Sequence, residues 1–112
     1  MPSSHKQIGK KGEDEMSIKV IVELQAKPGK RVELKNLLES VAAKYGPGQP
    51  GFLDSTRYEV LDNPNILVEI ADWASAEVRA AAMQQAMADG VYAPLEELLA
   101  APFRATVIRQ LP

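Results

Sequence analysis

No cysteine occurs in the 112 residues. That excludes disulfides, thiolate zinc sites and cysteine nucleophiles, and it fits a reducing, cytoplasmic setting. Histidine is almost absent as well. The only one is His5, in a segment with little to bury, so it reads as a tail residue rather than a catalytic one. Excess charge of one sign is also missing. A net charge of −2 gives no electrostatic basis for binding nucleic acid or an anionic membrane. No apolar run approaches the ~20 residues of a membrane span, and the N-terminus has no apolar secretory stretch. Phosphate loops and dinucleotide fingerprints are missing too.

What is present fits one domain with an ordinary apolar content of 46%. A chain this short buries only a small core, so its stability can depend on a partner subunit. Residues 1–16 carry Ser3, Ser4, Lys6, Lys10, Lys11, Glu13, Asp14 and Glu15, and predict a disordered tail ahead of a domain at 17–112. Met16 stands directly before the first strand, where a start codon would fall.

From Ser17 the pattern runs strand, helix, strand, strand, helix, strand. Ile18, Val20, Val22 and Leu24 alternate with Lys19, Ile21, Glu23 and Gln25, which is the period of a strand over 17–26. Pro28 suits the first position of a helix. Leu34, Leu37, Leu38, Val41, Ala42 and Tyr45 then recur at helical spacing, and Gly46-Pro-Gly-Gln-Pro-Gly51 stops the run. Strands are expected over 52–61 and 66–73, joined by the turn residues Asp62-Asn-Pro-Asn65. Ser75 is a candidate N-cap for an alanine-rich helix over 76–88, which ends at Asp89-Gly90. Pro94 opens a short helical piece, and a last strand runs over 103–111.

This order is a split βαβ plan: an α+β, ferredoxin-like, four-stranded antiparallel sheet with helices on one face. The uncovered face still carries apolar side chains from several strands. A homodimer closing two such sheets into an α/β barrel is the economical way to cover them.

Several segments together resemble the antibiotic biosynthesis monooxygenase (ABM) domains of the dimeric α/β-barrel class. They are Ala26-Lys-Pro-Gly-Lys30, the helix with Glu33-Leu34-Lys35-Asn36-Leu37-Leu38, and the turn Pro50-Gly51-Phe52. Tyr58-Glu-Val-Leu61, Asp62-Asn-Pro64 and the strand Leu67-Val-Glu-Ile-Ala-Asp-Trp73 leading into a helix complete the set. The resemblance implies a dimer and a family that includes cofactor-free oxygenases of aromatic polyketides, quinol oxygenases and haem degraders, alongside many proteins of no known activity. Two features depart from it. Many relatives carry glutamate where this chain has Ala71, and a histidine on the following helix, which here reads Arg79-Ala-Ala-Ala-Met-Gln-Gln85. The haem degraders of this fold need an axial histidine, so haem chemistry is not expected. No cofactor and no metal are expected.

A hairpin closing over Asn63-Pro64, or over all of Asp62 to Asn65, places Tyr58 opposite Glu69, Thr56 opposite Ala71 and Asp54 opposite Trp73. A three-residue loop shifts that register. In the expected register one sheet face collects the candidate site. Glu69 or Asp54 serves as general base, if burial raises its pKa, and Trp73, Tyr58 and Thr56 bind substrate. Each residue has a plainer reading as well. Trp73 can be core filler, Tyr58 with Glu69 a structural hydrogen bond, and Glu69 the partner of an arginine across a dimer. Arg57, Arg104 and Arg109 read as solvated or interface charges, and Tyr45 and Tyr92 as packing residues. With no cofactor motif, the enzyme expected here oxygenates a substrate that itself gives an electron to dioxygen. The rival is a non-catalytic dimeric barrel binding a small hydrophobic ligand.

Overall fold

The structure, a computed structural model, describes residues 17–112. The predicted tail at 1–16 lies outside them. The elements are β1 (Ile18–Gln25), α1 (Arg31–Tyr45), β2 (Phe52–Glu59), β3 (Ile66–Trp73), α2 (Ala76–Ala88), α3 (Ala93–Glu96) and β4 (Arg104–Ile108). The sheet runs in the order β2-β3-β1-β4, with every neighbouring pair antiparallel. This is the ferredoxin-like arrangement expected from the element order.

Alternation in β1 decides which face the helices cover. Ile18, Val20 and Leu24 are buried beneath them, while Lys19 and Glu23 are exposed on the other face. The covered side holds two apolar clusters. At one end Leu24, Leu34, Leu38, Leu67, Leu95 and Leu99 pack together, and Leu34 is fully inaccessible. At the other end Ile18, Val20, Ala71, Trp73 and Ala82 form a second cluster, and Val22 packs against both. Leu34→Ala belongs to the class of core truncations that costs about 2–5 kcal/mol.

Two boundaries differ from the sequence reading. Pro28 does not open α1, which starts at Arg31. Instead Lys30 donates its N–H to Lys27 O at 2.9 Å, and Gly29 has φ +78°, so Pro28-Gly29 form the centre of a tight turn. The last strand is shorter than expected, ending at Ile108, and all of its residues are exposed. Ser75 caps α2 as predicted, its hydroxyl accepting from Val78 N at 3.2 Å.

The β2–β3 register is the main correction. Ser55 pairs with Ala71, Thr56 with Ile70, Arg57 with Glu69 and Tyr58 with Val68. The expected register does not form, because the loop contains two consecutive turns that share Asn63. Val60 O accepts from Asn63 N at 3.2 Å, and Asn63 O accepts from Ile66 N at 3.1 Å. The Asn63 side chain also accepts from Asn65 N at 3.2 Å, wrapping around Pro64. The span Val60 to Ile66 therefore has odd parity, and β2 is slipped by one residue. The side chains from Asp54 to Tyr58 change face in consequence, while an irregularity between Phe52 and Asp54 keeps Phe52 opposite Trp73.

Candidate active site

A cavity of about 110 Å³ lies between the covered face of the sheet and helices α1 and α2, in the gap between the two clusters. Its floor comes from β1 and β3, with Val20, Val22, Ala71 and Glu69 beneath and Trp73 at one end. Alternate β3 residues share a face, so Glu69, Ala71 and Trp73 arrive together. Val41, Ala42 and Tyr45 of α1 form one wall; Arg79, Ala82 and Met83 of α2 form the other.

Trp73 is only 6% exposed, and Phe52 meets its ring edge-on, with centroids 5.4 Å apart at 78°. Gly51 makes this contact possible. It takes φ +81°, its carbonyl accepts from Ala74 N at 2.7 Å, and a Cβ there would overlap the Val78 side chain. The chain can therefore turn tightly beneath α2 and deliver Phe52 to the cavity.

Glu69 is the carboxylate of this cavity. Burial pushes its carboxyl above the ordinary value, and the Arg57 charge opposes the rise. Arg57 stands opposite it on β2, with Nη1 3.6 Å from Glu69 Oε2 and donating to Ser55 Oγ at 3.0 Å. Tyr92, in the link between α2 and α3, also lines the cavity. Its hydroxyl donates to Met83 Sδ at 3.7 Å, a weak and replaceable acceptor. Burial and the nearby Glu69 charge hold the Tyr92 phenol protonated, against the pull of Arg79.

Of the residues expected to share one site, Glu69 and Trp73 lie together in the cavity. Asp54, Thr56 and Tyr58 do not. They are exposed on the open face, because the odd loop turns them outward. There Lys19 donates to Asp72 at 2.7 Å, with Asp54 and Tyr58 nearby. Ser55 and Arg57 take the inward places. Arg57, read as a solvated or interface charge, stands beside Glu69 of its own chain, with its side chain 31% exposed. Tyr45 and Tyr92, read as packing residues, both line the cavity, as do Phe52 and Arg79. The signal that would have found Ser55 and Arg57 is Asn63, whose side chain and carbonyl centre both turns of the loop. Among the described residues, no group of three or more histidine, cysteine, aspartate or glutamate side chains is placed to hold a metal, and no helix is long and apolar enough to cross a membrane.

Sheet topology and cavity together define a ferredoxin-like α+β protein with an internal, mainly apolar cavity on the helix side. Residues 17–89 match the antibiotic biosynthesis monooxygenase family, and the chain belongs to that family. No curated protein matches the sequence. Solved structures share the fold at low identity. A conserved protein from Methanosarcina mazei Go1 has a TM-score of 0.79 at 23% identity, covering 90% of this chain and 99% of its own. SnoaB, a cofactor-independent oxygenase from Streptomyces nogalater, has a TM-score of 0.70 at 22% identity, covering 86% and 96%. A protein from Mycobacterium tuberculosis has a TM-score of 0.73 at 23% identity, covering 86% and 96%.

Proposed function

We propose that the chain is a cofactor-independent monooxygenase that oxidises a small phenolic or quinol-like aromatic compound in the cavity above Glu69. The observation that carries this reading is a desolvated carboxylate on an otherwise apolar floor, beside the aromatic pair Trp73 and Phe52. A buried carboxylate with a raised pKa is suited to take a proton from a weak acid near neutral pH. The description of SnoaB as a cofactor-independent oxygenase points the same way.

The reaction needs no external reductant. A phenol that loses its proton to Glu69 becomes an electron-rich anion able to give one electron to dioxygen. Recombination of the resulting pair forms a carbon–oxygen bond. O–O cleavage with loss of the ring proton leaves a quinone carbonyl and one water. Phenol plus O2 thus gives quinone plus H2O, with atoms and electrons balanced. The protein's tasks are positioning and dryness. In this reading Trp73 packs on the ring and Glu69 holds the proton. Tyr92 exchanges its Met83 contact for a substrate oxygen, the task expected of Tyr58 from sequence. Arg79 faces the developing negative charge on oxygen.

Cavity size narrows the substrate class. An engineered apolar cavity of about 150 Å³ accepts benzene, so about 110 Å³ suits a single ring at most. A fused polyketide would need α2 to move outward. That helix is lightly anchored, with only Ala82 buried.

The open face supports a homodimer. Leu53, Tyr58 and Ile108 are exposed, and no helix covers that side of the sheet. Pairing of two such faces would bury them.

Trp73 is the only tryptophan, so its fluorescence reports on the cavity directly. Single-ring phenols and hydroquinones should quench it saturably and consume oxygen, and Glu69→Gln should keep the quenching while losing turnover. Oxygen consumption unchanged in Glu69→Gln overturns the assignment of the base. Quenching without oxygen uptake for any compound tried makes the protein a ligand-binding module instead.

A further inference from the structure

A second cavity, of about 380 Å³, lies outside the first, between the start of α1 and the outer strand β2. Arg31, Lys35 and Arg57 line it, together with Glu39 and Glu59. Arg31 and Lys35 are one turn apart on α1 and so share a side of the helix. We propose that this groove binds a small organic acid, through a carboxylate or phosphate group gripped by Arg31, Arg57 and Lys35.

Charge is the first support. Arg31 Nη2 donates to Glu59 Oε1 at 3.0 Å and Lys35 Nζ to Glu39 Oε1 at 3.2 Å, which matches two of the three lining cations with the two lining carboxylates. Arg57 is the remaining cation. Its Nη1 contacts, Ser55 and Glu69, both belong to the central cavity.

Unmet hydrogen bonding is the second. The Nε–H groups of Arg31 and Arg57 are both buried and find no acceptor among the described residues. Buried polar groups are nearly always paired, so each orphaned donor calls for an explanation. Here both belong to arginines of the same groove. A guanidinium offers Nε–H and an Nη–H as a parallel pair, and the acceptors that fit it are planar carboxylates and phosphates.

Size and lining are the third. The groove is far larger than a bare oxyanion needs. Leu38 and Leu67 supply apolar contact for an organic body, and Tyr58 borders the groove at the edge of β2. An acid with one ring or a short chain fits within it. This reading is independent of the oxygenase proposal, since binding here is detected without turnover.

Arg57 also joins the two cavities. It lines the groove, and it opposes the rise of the Glu69 carboxyl in the central cavity, where Tyr45 of α1, Arg79 of α2 and Tyr92 are the other ionisable groups. An acid that takes up the Arg57 charge leaves Glu69 more dominated by burial. Its carboxyl then rises further.

The Nε–H signals of arginine are resolved in 15N spectra, which gives a direct test on the full-length protein. Benzoate, phenyl phosphate and inorganic phosphate are titrated at constant ionic strength, with chloride as the control. Saturable movement of the Arg31 and Arg57 Nε–H signals by benzoate or phenyl phosphate is the expected result. The better of the two identifies the headgroup, and inorganic phosphate should bind at least tenfold more weakly. Arg31→Met should weaken binding about tenfold or more while hydroquinone quenching of Trp73 is unchanged. Arg31→Lys keeps the charge and removes the fork, and should give much of the same loss. Shifts that chloride reproduces, or that survive both Arg31 variants, overturn the proposal. A Glu69 carboxyl titration that stays put when the groove is filled overturns the link between the cavities.

Discussion

The two faces of the sheet each carry an ion pair built from adjacent strands, and the contrast between them is instructive. On the open face Lys19 and Asp72 are 2.7 Å apart, with the lysine 58% exposed. On the covered face Arg57 and Glu69 are 3.6 Å apart, with the glutamate 18% exposed. The shorter contact holds Lys19 above its usual value, yet solvent screens it and its weight in stability is small. The longer contact does not even cancel the effect of burial on Glu69, whose carboxyl still rises. Environment outweighs distance here. A carboxylate becomes chemically useful because it is held away from water, and the open face offers no such place.

The largest expected effect comes from removing the aromatic anchor of the covered face. Trp73→Ala should cost about 3–5 kcal/mol in chemical denaturation, the usual range for buried tryptophan. Tyr58→Ala, at 49% exposure on the open face, should change monomer stability by about 0.5 kcal/mol or less, with any larger loss appearing as weakened self-association. Equal costs for the two substitutions would mean that both faces are buried in the folded unit.

Acidity separates the faces more finely. With its folded value above the ordinary 4.5, Glu69 favours the folded state in its protonated form. That contribution is complete below 4.5 and is lost as pH rises through the higher folded value. Glu69→Gln cannot ionise. Relative to the variant, the parent protein should therefore lose stability as pH rises above 4.5, as followed by denaturation across pH. A difference that does not change with pH would show Glu69 to be as solvated as the carboxylates of the open face.

The smallest effect belongs to the surface pair. Lys19→Met and Asp72→Asn should each change stability by about 0.5 kcal/mol or less, and less again in high salt. A larger loss measured at concentrations where the protein self-associates would place this pair inside an interface.

What could be read from sequence follows from the range of the forces involved. The alternation of β1, the leucine spacing of α1, the Ser75 cap and the order of elements are local signals, and the folded chain keeps them. Glu69 and Trp73 share a face because both lie on β3, two residues either side of Ala71, and no loop intervenes. The β2 contribution was different. Which of its faces turns inward depends on the parity of the loop, set by paired turns at Asn63 that composition does not reveal. Tyr92 and Arg79 were hidden for a related reason. They reach the cavity from α2 and the link after it, and helix packing rather than strand periodicity decides where they point.

The loop at Asn63 also bears on how such a protein can change over time. Most binding sites acquire a new chemistry one substitution at a time. In this hairpin, the loss or gain of a single loop residue would exchange the inward set of β2 beyond the irregularity that follows Phe52. Ser55 and Arg57 would give way to Asp54, Thr56 and Tyr58, with no side chain altered. The chain thus carries two alternative linings in one strand, and a short insertion or deletion is enough to pass from one to the other.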